Sequence, residues 1–145
     1  MTPENLHPDQ ARSSRAEAAF GFLAGLGYQL EDRVESGGGS FRDGWRLVYA
    51  TPAVNVTVQY FDMQFEVLFR RASVEAEYLF LDRELFGHRS GLQGNMFPPE
   101  KLGSIVDQTA ADIREHYRAV LMGDDAEWTR IRRLVEAPKD KPRLP

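Results

Sequence analysis

The residues able to do chemistry are few and scattered. The three histidines, His7, His88 and His116, fall in different parts of the chain. No pair has the spacing of metal ligands, and there is no HExxH. Cysteine is absent, which removes disulfides, thiolate nucleophiles and thiolate zinc sites together. Ser90 precedes Gly91, but R-S-G-L is no GxSxG elbow and offers no strained turn for a nucleophile. Glu75 and Glu77 share one side of an extended segment, where two carboxylates read as a solvated strand rather than an acid–base pair. No catalytic residue, no metal site and no cofactor is expected, and the chain reads as a binding protein rather than an enzyme.

The best local candidate for a ligand site is the irregular stretch Gly87–Pro99, GHRSGLQGNMFPP. Its glycines permit close backbone approach, and Pro99 suits the first turn of a helix whose N-terminus would favour an anion. His88, Arg89, Ser90 and Asn95 are the residues that would hold such a ligand, Arg89 by pairing with a phosphate or carboxylate. A second glycine-rich run, Ser36-Gly37-Gly38-Gly39-Ser40, lacks the strand–loop–helix context and following lysine of a phosphate cradle, so it reads as a flexible connector.

The element that organises these positions is Val54 to Arg70, VNVTVQYFDMQFEVLFR, which reads as a β-hairpin. Side chains alternate along a strand. Pairing Tyr60 with Phe65 sets Val58 opposite Val67 and Val56 opposite Phe69, and gathers the apolar side chains on one surface. A slip of one residue would turn a whole apolar row to water. Phe61-Asp62-Met63-Gln64 lacks the Asn-Gly or Asp-Gly of a two-residue loop, so a four-residue loop around a type I turn is expected. The other face carries Asn55, Thr57, Gln59, Glu66, Leu68 and Arg70. With Phe61, which fits no apolar stripe, the polar members form the expected partner surface. Phe22 and Phe86 also fall outside the stripes.

Around the hairpin the pattern gives an N-terminal helix at 15–26, capped by Ser14 with Glu17 and ended by Gly27. A strand follows in which Leu30 and Val34 share a face, then one from Phe41 to Ala50 with Trp45, Leu47 and Tyr49 together. A fifth strand runs through Val74, Ala76, Tyr78 and Phe80. The stripe from Leu102 to Leu121, ended by Gly123, is one helix; Asp124 or Asp125 caps the last, which carries Trp128, Ile131 and Val135. The expected architecture is α+β: an N-terminal helix, a four- to five-stranded antiparallel meander, and two C-terminal helices packed on one face. Residues 1–13 read as a loose arm, 14–137 as a single α+β domain and 138–145 as a mobile tail.

With 145 residues and a formal charge of −4, the chain is long enough for one core and lacks the basic footprint of a nucleic-acid or anionic-membrane binder. Arg130, Arg132 and Arg133 are interleaved with acids on a solvated helix face. No run reaches the length of a membrane span. The apolar stretch 18–28 follows acidic residues that suit no signal peptide, so a cytoplasmic location is expected.

The order FGFLAGLGY, a gap, then VNVTVQYFDMQFEVLFRR resembles small uncharacterised bacterial α+β domain proteins in which a first helix leads into an antiparallel sheet. Some of these accompany toxin genes and are suspected immunity proteins. The resemblance covers residues 18–71 and rests on core and turn positions, with Phe61 before Asp62 departing from the simpler turn. It implies a fold and carries over no functional residue. The functional expectation is a non-enzymatic protein-binding domain, in its most concrete form an immunity-type inhibitor of a protein partner. The alternative is a small-molecule or anion-binding protein, or a hydrolase, with its site in the 87–99 loop. A protein partner is expected, nucleic acid and membrane are not, and a homodimer would form by continuing the sheet at an edge strand.

Overall fold

Alternation of apolar and polar residues over four successive short-linked segments produces an antiparallel meander, and the computed structural model shows it with five strands. The structure describes residues 8–36 and 44–137, with side chains from Ser13 onward. His7, the glycine connector after Ser36, the start of the expected strand at Phe41 and the tail 138–145 lie outside these residues. The strands are β1 (Gln29–Ser36), β2 (Gly44–Ala50), β3 (Asn55–Phe61), β4 (Gln64–Arg71) and β5 (Val74–Glu77), ordered in space as in sequence. The helices are α1 (Pro8–Ala19), α2 (Tyr78–Glu84), α3 (Pro99–His116), α4 (Arg118–Leu121) and α5 (Asp125–Glu136). The α+β class, the antiparallel sheet and the broad placement of the helices are as expected.

The hairpin has the expected register: Tyr60 pairs with Phe65, Val58 with Val67 and Val56 with Phe69. These residues, with Trp45, Leu47, Tyr49 and Ala76, are buried beneath Leu102, Val106, Ile113, Tyr117, Trp128 and Ile131 of the helices. Full burial of such side chains stabilises by about 1.5–3 kcal/mol each. Tyr117 lies at the centre of an aromatic cluster, 4.3 Å from Phe86 and 5.5 Å from Phe69 between ring centroids. Phe86 therefore belongs to the core layer, while Phe22 tilts against Phe20.

Several local expectations are corrected. The hairpin loop has two residues, because Phe61 pairs with Gln64 and both Asp62 (φ +55) and Met63 (φ +65) are left-handed. Two positive φ values define a type I′ turn, whose twist matches the strands even without glycine. A loop segment supports it from outside: Phe97 N–H donates to Met63 O at 2.8 Å, and Phe65 N–H to Asn95 O at 2.8 Å. In β1 the register shifts between Leu30 and Asp32. That bulge keeps Leu30 on the core side but turns Val34 out, 37% exposed, and Arg33 and Glu35 in toward α1. There Ser13 Oγ donates to Glu35 at 2.5 Å and accepts from Arg33 at 3.0 Å.

The first helix begins at Pro8, inside the expected arm, so Ser14 is no cap. It gives way to 3₁₀ winding over Gly21–Leu26, where two glycines weaken the α-helix, and ends at Gly27 (φ +94). The fifth strand stops at Glu77 because the helix formers of YLFLDRE wind α2 from Tyr78 and bury Leu81. The long C-terminal stripe is broken at Tyr117, which leaves helical geometry and divides α3 from α4. Tyr28 and Trp128 hold α4 in place, donating to the Leu121 carbonyl at 2.7 Å and the Val120 carbonyl at 2.9 Å. Asp124 caps α5 by accepting from Glu127 N–H at 2.9 Å.

Candidate functional site

The helices cover one face of the sheet, and the other face shows how strand register builds a surface. Residues directly opposite one another form rows across the strands. One row is Val34, Arg46, Gln59 and Glu66; the next on the same face is Asp32, Val48, Thr57, Leu68 and Glu77; the third is Gln29, Ala50, Asn55, Arg70 and Glu75. The middle row has short side chains at its centre, while Arg46, Gln59, Arg70 and Glu75 stand long on either side. This difference in length makes a groove of about 460 Å³, floored by Val48, Thr57 and Leu68 and walled by Arg46, Gln59, Asn55, Arg70 and Glu75.

Much of the first row is committed internally. Arg46 Nε donates to Gln59 Oε1 at 3.0 Å, Gln59 Nε2 donates to Glu66 Oε1 at 2.8 Å, and Asn95 Nδ2 reaches Glu66 Oε2 at 3.3 Å. The Arg46 guanidinium lies 5.5 Å over the Phe61 ring. Of the expected partner surface, the structure therefore places Asn55, Thr57, Gln59 and Arg70 in the groove, Phe61 beneath Arg46, and Glu66 at the end of the hydrogen-bonded row. Arg46 and Val48 were missed; their signal is the alternation of β2, in which Trp45, Leu47 and Tyr49 turn inward. On β5, burial pushes the Glu77 carboxyl above its ordinary range, and the charge of Glu66 adds to the effect.

The 87–99 loop divides into two parts. His88, Arg89 and Ser90 meet the helices: the buried Asp82 carboxylate accepts from Ser90 N–H at 2.9 Å and from Ser90 Oγ at 2.7 Å, with His88 Nδ1 at 3.4 Å. Arg89 donates to His116 Nε2 at 2.6 Å and approaches Asp112 at 3.7 Å. Because arginine can only donate, His116 Nε2 is the acceptor there. Arg89 is thus at the C-terminal end of α3, away from the N-terminus that an anion would use. Asn95 is not with these three residues; it belongs to the segment that braces the hairpin, where Tyr60 OH also donates to Phe97 O at 2.8 Å.

Among the described residues no group of His, Asp and Glu is arranged to hold a metal ion, and no helix is long and apolar enough to cross a membrane. Comparison with protein-family models, with curated proteins and with solved structures finds no match.

Proposed function

We propose that this chain is a non-enzymatic protein-binding domain that engages its partner through the open face of the sheet, with an immunity-type inhibitor as the most concrete form. The observation that carries the reading is the groove across β2, β3 and β4. It is built on the sheet, carries arginine, the residue type enriched at interface hot spots, and has no helix over it among the described residues. The hydrogen-bonded row from Arg46 to Asn95 fixes one wall in place, which lowers the ordering cost of association. A cytoplasmic protein partner fits this reading, and nucleic acid does not, because the formal charge is −4 and phosphate neutralisation needs clustered cations.

The alternative site in the 87–99 loop is weaker on geometry. Ser90 and Arg89 already direct their donors at Asp82, His116 and Asp112. A ligand would have to replace those bonds.

Affinity capture from the source cells tests the reading, using the parent chain, Thr57→Arg on the open face and Arg83→Ala on α2. The expected result is a stoichiometric partner retained by the parent and Arg83→Ala and lost with Thr57→Arg. A partner held equally by all three contradicts the assignment of the face. A phosphate-induced rise in melting temperature that Arg89→Ala abolishes would favour the loop instead.

A further inference from the structure

The groove selects the chemistry of what enters it. Its floor is aliphatic, from Val48 and Leu68 with the Thr57 side chain between them, so it accepts methylene and methyl groups. Its charged wall groups are the donors Arg46 and Arg70 and one acceptor, the Glu75 carboxylate. Among the described residues Arg46 hydrogen-bonds through Nε alone, to Gln59, with its guanidinium over the Phe61 ring. Arg70 is exposed, and its side chain makes no hydrogen bond or ion pair among the described residues. The two arginines stand on opposite walls, on strands one removed from each other and in rows four residues apart. That corresponds to about 13 Å along the strands and about 10 Å across them, within reach of one bound segment.

Guanidinium groups only donate, so the occupant must supply acceptors, and a carboxylate is the strongest that a protein can bring. Glu75, opposite Arg70, offsets part of the positive charge; the groove lining carries two positive charges against one negative, and Asp32, Glu66 and Glu77 flank it in the same rows of the face, on a chain of formal charge −4. The long-range field therefore disfavours a partner acidic as a whole, while the groove favours an acidic side chain locally.

Resting on the protein-binding reading above, we infer that the groove receives a glutamate or aspartate carried between aliphatic residues on a partner protein that is neutral or basic overall. The carboxylate bonds to Arg46 or Arg70, and the aliphatic neighbours cover Val48 and Leu68.

The test uses two sets of labelled peptides on a lysine-bearing scaffold. One set presents Glu between Leu and Val; the other carries Gln in place of Glu. Each is titrated into isotope-labelled full-length protein while backbone amide shifts are followed. The Glu set is expected to move the amides of Val48, Thr57 and Leu68. The Gln set is expected to bind about tenfold more weakly, as are Glu peptides with Arg46→Gln or Arg70→Gln. Both variants are surface changes whose unperturbed spectra report retained folding. Equal binding of the Glu and Gln sets at the groove would overturn the acidic anchor while leaving the open-face reading standing. Shifts confined to the 87–99 loop would overturn both. No shift at the face with either set, or acetate alone reproducing the Glu effect at equal concentration, would also overturn the inference.

Discussion

At Met63 the chain holds a non-glycine residue at φ +65, in the second central position of the hairpin turn, with the side chain 46% exposed. Left-handed geometry costs a non-glycine residue about 1–2 kcal/mol, whereas glycine adds about 0.5–1 kcal/mol of unfolded-state entropy. Met63→Gly is therefore expected to stabilise the protein by about 0.5–1 kcal/mol, measured by urea denaturation. A loss would mean that the exposed side chain contributes more than the strain costs. Glu77 poses the other residue-scale question. Burial raises its carboxyl above the ordinary range, so the folded state keeps this proton to higher pH than the unfolded state. Its contribution to stability is then full at pH below the ordinary glutamate value and is lost as pH rises through the raised one. Glu77→Gln should flatten that decline and leave the protein at least as stable as the parent near neutral pH. Denaturation midpoints at acidic and neutral pH check it; a parent-like decline in the variant would contradict it.

The element scale is governed by the two faces of the hairpin. Val58 is fully buried, while Thr57, its neighbour in β3, lies on the groove floor. Val58→Asp buries an unpaired carboxylate and should cost on the order of 4 kcal/mol. Thr57→Asp should be near neutral. Equal losses in chemical denaturation would contradict the register. This register was legible in the sequence because pairing Tyr60 with Phe65 gathers Val54, Val56, Val58, Tyr60, Phe65, Val67 and Phe69 on one surface, and a slip of one residue would turn a row of them to water. The β1 face was not, since a bulge leaves no mark in the alternation of Leu30 and Val34 and depends on Arg33 and Glu35 reaching Ser13. The change from β5 to α2 at Tyr78 was hidden for a related reason: VEAEYLF suits either period, and tertiary burial of Leu81 decides it. Half of the groove was legible through Asn55, Thr57, Gln59 and Arg70. Arg46 and Val48 follow from the alternation of β2 but join the groove only through the pairing of β2 with β3.

At the scale of the whole molecule the sheet has one covered face, one open face and two unequal edges. At one edge, β5 pairs with Leu68–Arg71 of β4, while the segment around Asn95–Phe97 bonds near Gln64. At the other, β1 has no outer strand among the described residues, and its bulge with Glu31, Asp32, Arg33 and Glu35 opposes extension of the sheet by a second copy. The proposed binding is therefore assigned to the open face. Because the chain contains no cysteine, a single introduced thiol carries a photo-crosslinker to one chosen place. The most direct measurement compares Thr57→Cys, on the groove floor, with Gln108→Cys, on the exposed side of α3. After illumination in source-cell extract, position 57 is predicted to give a discrete covalent adduct with a partner protein, while position 108 gives none. Adducts formed from position 108 alone, or equally from both, would contradict the assignment of binding to the open face of the sheet.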